Sequence, residues 1–285
     1  MTDTTTPTLK IHINGWSLLD EGDPATEAGL RTHLSAIKDA GFQGYAWNPL
    51  NPQLKELLAE YGLRYGGLFD AAKPEQFAPA IAAIMAVDNG PINCQLADHD
   101  TPIEEAIELT LALMAEAKKQ NAPVHLEVHR DTCTETPEKT EAIIEGYKAA
   151  TGEAPLMNFD FSHPAVVKHV LETEYISRLL TPEIVPIFQK STLWHIRPFN
   201  AQHCQVPITD GQGNFSSEYL ACRPFVRQAL KNWLQGPRPT NELWVVPEIG
   251  TTHEYKLSCF PNIWEDTVTL GKDIQQIWSE EVTAL

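Results

Sequence analysis

A single (β/α)8 barrel is the fold class this sequence predicts, and three observations predict it. Eight short runs are rich in aliphatic, β-branched and aromatic residues, amphipathic helical stretches separate them, and the 285 residues are close to the roughly 250 such a barrel commonly uses. An open doubly wound sheet is the structural alternative. It would usually announce itself with GxGxxG after the first strand, whereas the first strand here runs into "GWSLLDEGD".

The strand candidates are, in order, "LKIHIN" (9–14), "GYAWN" (44–48), "RYGGLF" (64–69), "INCQLA" (92–97), "VHLEVH" (124–129), "LMNFDF" (156–161), "LWHIRP" (193–198) and "LWVVPE" (243–248). Helix starts are marked by Thr101-Pro102-Ile103-Glu104, a capping hydroxyl with proline at the first helical position and glutamate three residues on. Thr136-Pro137 and Thr181-Pro182 repeat the opening. Stops are expected at Gly41, Gly62, Gly90 and Gly152, each able to take the left-handed conformation after a helical run. The "DGQGNF" stretch (210–215) reads as a turn rather than a phosphate cradle. The polar start "MTDTTTPT" reads as a short disordered tail over 1–8, leaving one barrel domain over 9–285; no linker or shift of composition marks a second domain.

Twenty-one basic against 38 acidic residues give a net charge of -17, which repels polyanions and disfavours a nucleic-acid partner. Cys94, Cys133, Cys204, Cys222 and Cys259 are an odd number with no close pairs, so free thiols are expected rather than a disulfide framework or a CxxC zinc site. No apolar run approaches the roughly 20 residues of a membrane helix, and the start has no leader pattern, so the expected compartment is the cytoplasm. Aromatic-rich helices around Trp233 and Trp264 leave a homo-oligomer open.

The strand ends carry the chemistry. In "VHLEVHRDT", Val124, Leu126 and Val128 alternate with His125, Glu127 and His129. In a barrel the first set packs under the helices and the second points inward. Inward charge belongs at the C-terminal mouth, because deeper in the barrel its desolvation is costly. Asp160 alternates with Phe159 and Phe161, and His163 follows where the chain turns. His195 shares a face with Arg197, and Glu248 closes the last strand. Four strands thus end in Glu127, Asp160, His195 and Glu248. Three carboxylates converging on one point repel unless a cation sits between them, and such an oxygen-rich set with one imidazole suits Mn²⁺, Mg²⁺, Co²⁺ or Zn²⁺.

In "HLEVHRDT", "NFDFSH", "HIRPFNAQHCQVP" and "VPEIGTTHEY" the sequence resembles the xylose isomerase-like barrel superfamily, and within it proteins of the sugar phosphate isomerase/epimerase type. The resemblance covers the chain from the fifth strand onward; the first four strands match in general pattern. It implies that Glu127, Asp160, His195 and Glu248 bind one divalent metal ion, and that Glu127 and Glu248 lie on opposite faces of the substrate as catalytic acid and base. It also implies that His163 and Arg197, with His129 and Arg130 of the same "E-x-H-R" motif, contact substrate. His203 and Gln205 are weaker candidates, as apt to be structural. His12 and Asn14, on one face of the first strand, are expected to fill the barrel rather than act.

The function so implied is a metal-dependent sugar isomerase or epimerase acting on a ketose, aldose or related polyol, by proton transfer through an enediolate between two glutamates. A dehydratase of an inosose-like keto-polyol is the nearest chemical alternative, and a non-catalytic sugar-binding barrel is a third. A hydride shift would need a second metal with more aspartates than Asp210 in the loop after strand seven. A three-zinc endonuclease would need an Asp-x-His that "ITDGQG" lacks. The expected partner is a small sugar or keto-polyol.

Overall fold

The computed structural model describes residues 6–252 and 255–284. Its strands are β1 (Thr8–Asn14), β2 (Gly44–Trp47), β3 (Arg64–Ala71), β4 (Ile92–Leu96), β5 (Val124–Val128), β6 (Met157–Phe159), β7 (Leu193–Ile196) and β8 (Glu242–Pro247). Each bound falls within two residues of the sequence expectation. The helices between and after them are α1 (Glu27–Asp39), α2 (Leu54–Tyr61), α3 (Pro74–Met85), α4 (Ile103–Lys119), α5 (Pro137–Thr151), α6 (Ser162–Val167), α7 (Tyr175–Leu179), α8 (Val185–Phe188), α9 (Ser217–Gln235) and α10 (Ile263–Thr283). The strands pair in parallel in the order β6-β5-β4-β3-β2-β1-β8-β7, which makes a (β/α)8 TIM barrel with one unpaired seam.

That seam lies between β6 and β7, where β6 has only three residues to offer. Side chains do the work of a ladder there. Asn158 Oδ1 accepts the His195 backbone N–H at 2.8 Å, Ser191 Oγ donates to the Met157 carbonyl at 2.6 Å, and His125 Nε2 meets Thr192 Oγ1 at 2.9 Å. Every buried backbone donor and acceptor needs some partner, and a short strand leaves the His195 N–H to asparagine and the Met157 carbonyl to serine.

Strand alternation sorts the two layers. Phe159 and Phe161 point out under the helices and meet Phe188, Trp194 and Phe225 in an edge-to-face cluster, with Phe161 5.2 Å from Phe225 and 5.6 Å from Phe188 between ring centres. The inward set carries the polar groups described below. At the N-terminal end of the barrel His12 fills space, fully buried and stacked 3.8 Å from Trp244, as expected of it.

Local punctuation follows the sequence at most places. Thr136 caps α5 by accepting from Lys139 N at 3.2 Å; Thr181, by contrast, opens no helix, because it accepts from Ile184 N in a turn and Ile184 takes the capping position of α8. Gly41, Gly62 and Gly152 all have positive φ, and residues 209–215 form a turn closed by a Thr209–Phe215 bridge. Three further expectations need correction. Thr101 does not cap α4, because its hydroxyl is taken by Asp98 and Pro102 occupies the capping position. Gly90 is not a left-handed helix stop; a Cβ there would lie 2.1 Å from the Tyr65 carbonyl and 2.6 Å from the Trp244 ring, so close approach selects the glycine. Thr8, assigned to the tail, opens β1 with its N–H on the Asn241 carbonyl at 2.7 Å; residues 1–5 of that tail lie outside the described residues. All five cysteines are free, and among the described residues no helix is long and apolar enough to cross a membrane.

Candidate active site

Glu127 comes from β5, His195 from β7, and Asp160, Arg197 and Glu248 from the residues just past β6, β7 and β8. All five side chains meet at the C-terminal mouth and are buried. Glu127 Oε1 lies 3.0 Å from His195 Nδ1, and Glu248 Oε2 lies 3.4 Å from the same nitrogen. One ligand atom from each of Glu127, His195 and Glu248 falls within 4.8 Å of the others. That cluster of two carboxylates and one imidazole fits a small divalent cation in donor type and spacing.

Asp160 is placed differently from the other three. Its Oδ2 accepts from Arg197 Nε at 2.9 Å and Nη2 at 2.7 Å, while its Oδ1 accepts from Ser162 N and Oγ at 2.9 and 2.5 Å. Arg197 Nη2 also donates to Glu248 Oε2 at 2.6 Å. The guanidinium thus stands between the two carboxylates and supplies the charge that the sequence argument assigned to a metal. Of the four expected ligands the structure gathers three, with Asp160 anchored to an arginine beside them.

Each acid is held ionised. Burial works to raise the Glu127 carboxyl, but His195, His129 and the Asn93 amide outweigh it and bring it down to about 2. Burial likewise opposes ionisation of Asp160 and Glu248; Arg197 with His163 holds the first well below the usual carboxylate range, and Arg197 with His195 lowers the second. His195 shows the converse. Burial works against its charge, yet Glu248 and Glu127 raise it to about 10.

Asparagines fix the acids from behind. Asn93 of β4 donates to Glu127 Oε2 at 2.7 Å and accepts from Asn158 Nδ2 at 2.9 Å. Asn158 in turn holds the His195 backbone, so a ring of four residues locks the base of the site. Asn14, expected only to fill the barrel, donates to Glu248 Oε1 at 2.8 Å. Sequence reasoning missed Asn93 and Asn158, although both interrupt apolar strands as Glu127 does.

The expected substrate contacts lie around this cluster. His163 is fully buried beside Asp160, its Nε2 3.3 Å from Asp160 Oδ2, and neither ring nitrogen has a hydrogen bond among the described residues. Burial lowers it to about 4 despite the nearby aspartate. His129 packs on His163 with ring centres 3.9 Å apart. Arg197 Nη1 is buried with no acceptor. Arg130 rests over the Tyr255 ring at 4.9 Å, and Arg197 lies 5.3 Å from the centre of that same ring. Gln205 is structural: its amide exchanges two hydrogen bonds with the Gly250 backbone, at 2.7 and 3.0 Å. His203 sits exposed on the rim against Asn200.

Trp16 and Tyr255 meet edge to face at 4.6 Å beside Arg197, whose guanidinium lies 5.8 and 5.3 Å from their ring centres. Gly250 permits it, since a Cβ there would meet the Trp16 ring at 2.4 Å. Tyr255 belongs to the "VPEIGTTHEY" motif, and Trp16 follows the first strand; neither had a titratable pattern to mark it.

No protein-family model and no curated protein matches the chain. Solved structures do. An L-ribulose 3-epimerase aligns with TM-score 0.63 and 15% identity over 97% of this chain and 95% of its own. A xylose isomerase-like TIM barrel protein from Mycobacterium smegmatis, in complex with magnesium, aligns with TM-score 0.61 and 15% identity over 98% of each chain. A D-tagatose 3-epimerase-like protein aligns with TM-score 0.61 and 14% identity over 96% of this chain and 99% of its own. The barrel therefore has the xylose isomerase-like fold.

Proposed function

We propose that the chain is a divalent-metal-dependent sugar isomerase or epimerase, moving a proton through an enediolate between Glu127 and Glu248. The observation that carries this reading is the convergence of two buried glutamates from separate strands on His195, at 3.0 and 3.4 Å. A barrel that only binds sugar has no need for two such bases. The likeness to sugar epimerases in fold is consistent with it.

Glu127, His195 and Glu248 would hold the cation, Mn²⁺, Mg²⁺, Co²⁺ or Zn²⁺, with Asp160 joining them if Arg197 gives it up. When bound, the ion supplies Lewis acidity that stabilises negative charge on the oxygens of a ketose carbonyl and its neighbouring hydroxyl. Glu127 and Glu248 are the two groups able to take and return the α-proton. Return to the opposite face gives an epimer; return to the adjacent carbon interconverts ketose and aldose. Arg197, through Nη1, and His163, through the single N–H of its neutral ring, are the donors for the developing oxyanion and substrate hydroxyls. His129 supports the His163 ring and so the substrate-facing wall. Trp16 and Tyr255 exclude water over the reacting carbons.

The test is solvent deuterium exchange. With Mn²⁺ or Mg²⁺ present, a ketose panel is expected to gain deuterium next to the carbonyl, and Glu248→Gln to abolish the gain. Metal binding without exchange across a broad panel would leave a binding barrel instead. Loss of water from a keto-polyol would move the assignment to a dehydratase.

A further inference from the structure

The proposed isomerase site leaves the Arg130 guanidinium unused. Among the described residues the Arg130 guanidinium has no hydrogen bond or ion pair; its contact is the face of Tyr255. In a chain with 38 acidic residues against 21 basic ones, a half-buried arginine without a carboxylate stands out. Arg31, Arg64, Arg178, Arg197, Arg223 and Arg227 all pair with Asp or Glu, and Arg238, which has no carboxylate among the described residues, donates to the Leu234 carbonyl and lies over Trp233.

Arg130 also borders space. With Gln202, His203, Cys204, Gln205 and Tyr255 it lines a cavity of about 140 Å³ at the barrel mouth. No carboxylate lines it among the described residues. Among the described residues the His203 ring makes one hydrogen bond, Nδ1 to Asn200 Oδ1. The cavity adjoins the catalytic cluster, because Tyr255 lies against Arg130 on the cavity side and against Arg197, itself bonded to Asp160 and Glu248.

We infer that this cavity is an oxyanion subsite centred on Arg130, and that the substrate is a sugar bearing a phosphate or carboxylate at the end remote from the reacting carbons. The inference rests on the isomerase or epimerase reading of the same site and narrows its substrate class. A guanidinium fork matches either oxyanion in two parallel hydrogen bonds. Local positive charge in a strongly acidic protein also selects against neutral sugars, whose hydroxyls could not repay the desolvation of an unpaired arginine. Tyr255 takes a double role, covering the reacting carbons and backing the guanidinium that receives the far end.

Two measurements decide it. First, inorganic phosphate is expected to raise the thermal midpoint of the wild type beyond chloride at equal ionic strength. Arg130→Met is expected to lose that increment, and Arg130→Lys to keep part of it. An increment equal to chloride's, or one that persists in Arg130→Met, overturns the subsite. Second, exchange kinetics compare a neutral ketose with ketoses carrying a terminal phosphate or a terminal carboxylate. Arg130→Met is expected to lower kcat/KM for the oxyanion-bearing substrate about tenfold more than for the neutral one, and the better of the two identifies the oxyanion. Equal losses on all three overturn the proposal. If no sugar exchanges at all, the isomerase reading falls, and the phosphate shift still decides the subsite by itself.

Discussion

Arg197 is the residue on which the site turns. It is almost fully buried, and one nitrogen bridges Asp160 and Glu248 at 2.7 and 2.6 Å. Removing one partner of a buried ionic network strands the others, at a cost of about 3–5 kcal/mol. Arg197→Met is therefore expected to lower the metal-free unfolding free energy from urea titration by that much, moving the midpoint down, and to regain part of it on saturation with Mn²⁺. An unchanged midpoint would show that the bridge is not a stabilising feature. The charge count at strand ends was legible in the sequence. That an arginine two residues after His195 would reach both carboxylates was not, because reach depends on the curvature that brings β6, β7 and β8 together.

At the scale of elements, the weak point is the β6–β7 seam. Outside it, Phe161 packs against Phe188, Trp194 and Phe225; inside it, the neighbouring Asp160 anchors Arg197. Phe161→Ala should open a cavity under α8 and α9 and cost about 3–5 kcal/mol. Because Phe161 also precedes α6, whose Ser162 binds Asp160, exchange activity is expected to fall even at temperatures where the variant stays folded. Full activity in a folded but destabilised variant would separate the aromatic layer from the site. The eight strands were legible because alternation survives in each of them. The seam was not, since "LMNFDF" reads like a strand of ordinary length and only the fold shows its last residues turning into α6.

For the whole molecule, buried histidines set the response to acid. Burial lowers His12 to about 3 and His125 to about 4, against 6.5 for an exposed imidazole. Between about pH 6 and about pH 4.5 the unfolded chain takes up a proton at each position and the folded chain does not. Stability then falls with pH by about 1.4 kcal/mol per unit for each histidine. His195, held charged up to about 10, is protonated in both states over that window and adds nothing to the slope. Urea titrations across it should show the loss, and His12→Phe, which keeps the stack on Trp244, should lessen the slope by one histidine's share. An unaltered slope would mean that His12 is not buried in its neutral form.

The sequence by itself determined the barrel, its strand bounds and the presence of acid, base and imidazole at successive strand ends, because strand alternation and helix punctuation are local properties of the chain. Glu127, His195 and Glu248 could be named from it, since ionisable groups inside apolar strands need a reason to be there. Only the tertiary structure decided that Asp160 faces Arg197, that Asn14, Asn93 and Asn158 hold the acids in place, and that Arg130 has no hydrogen bond or ion pair among the described residues. Those are statements about distance between strands far apart in the chain, and distance is fixed by how the barrel closes.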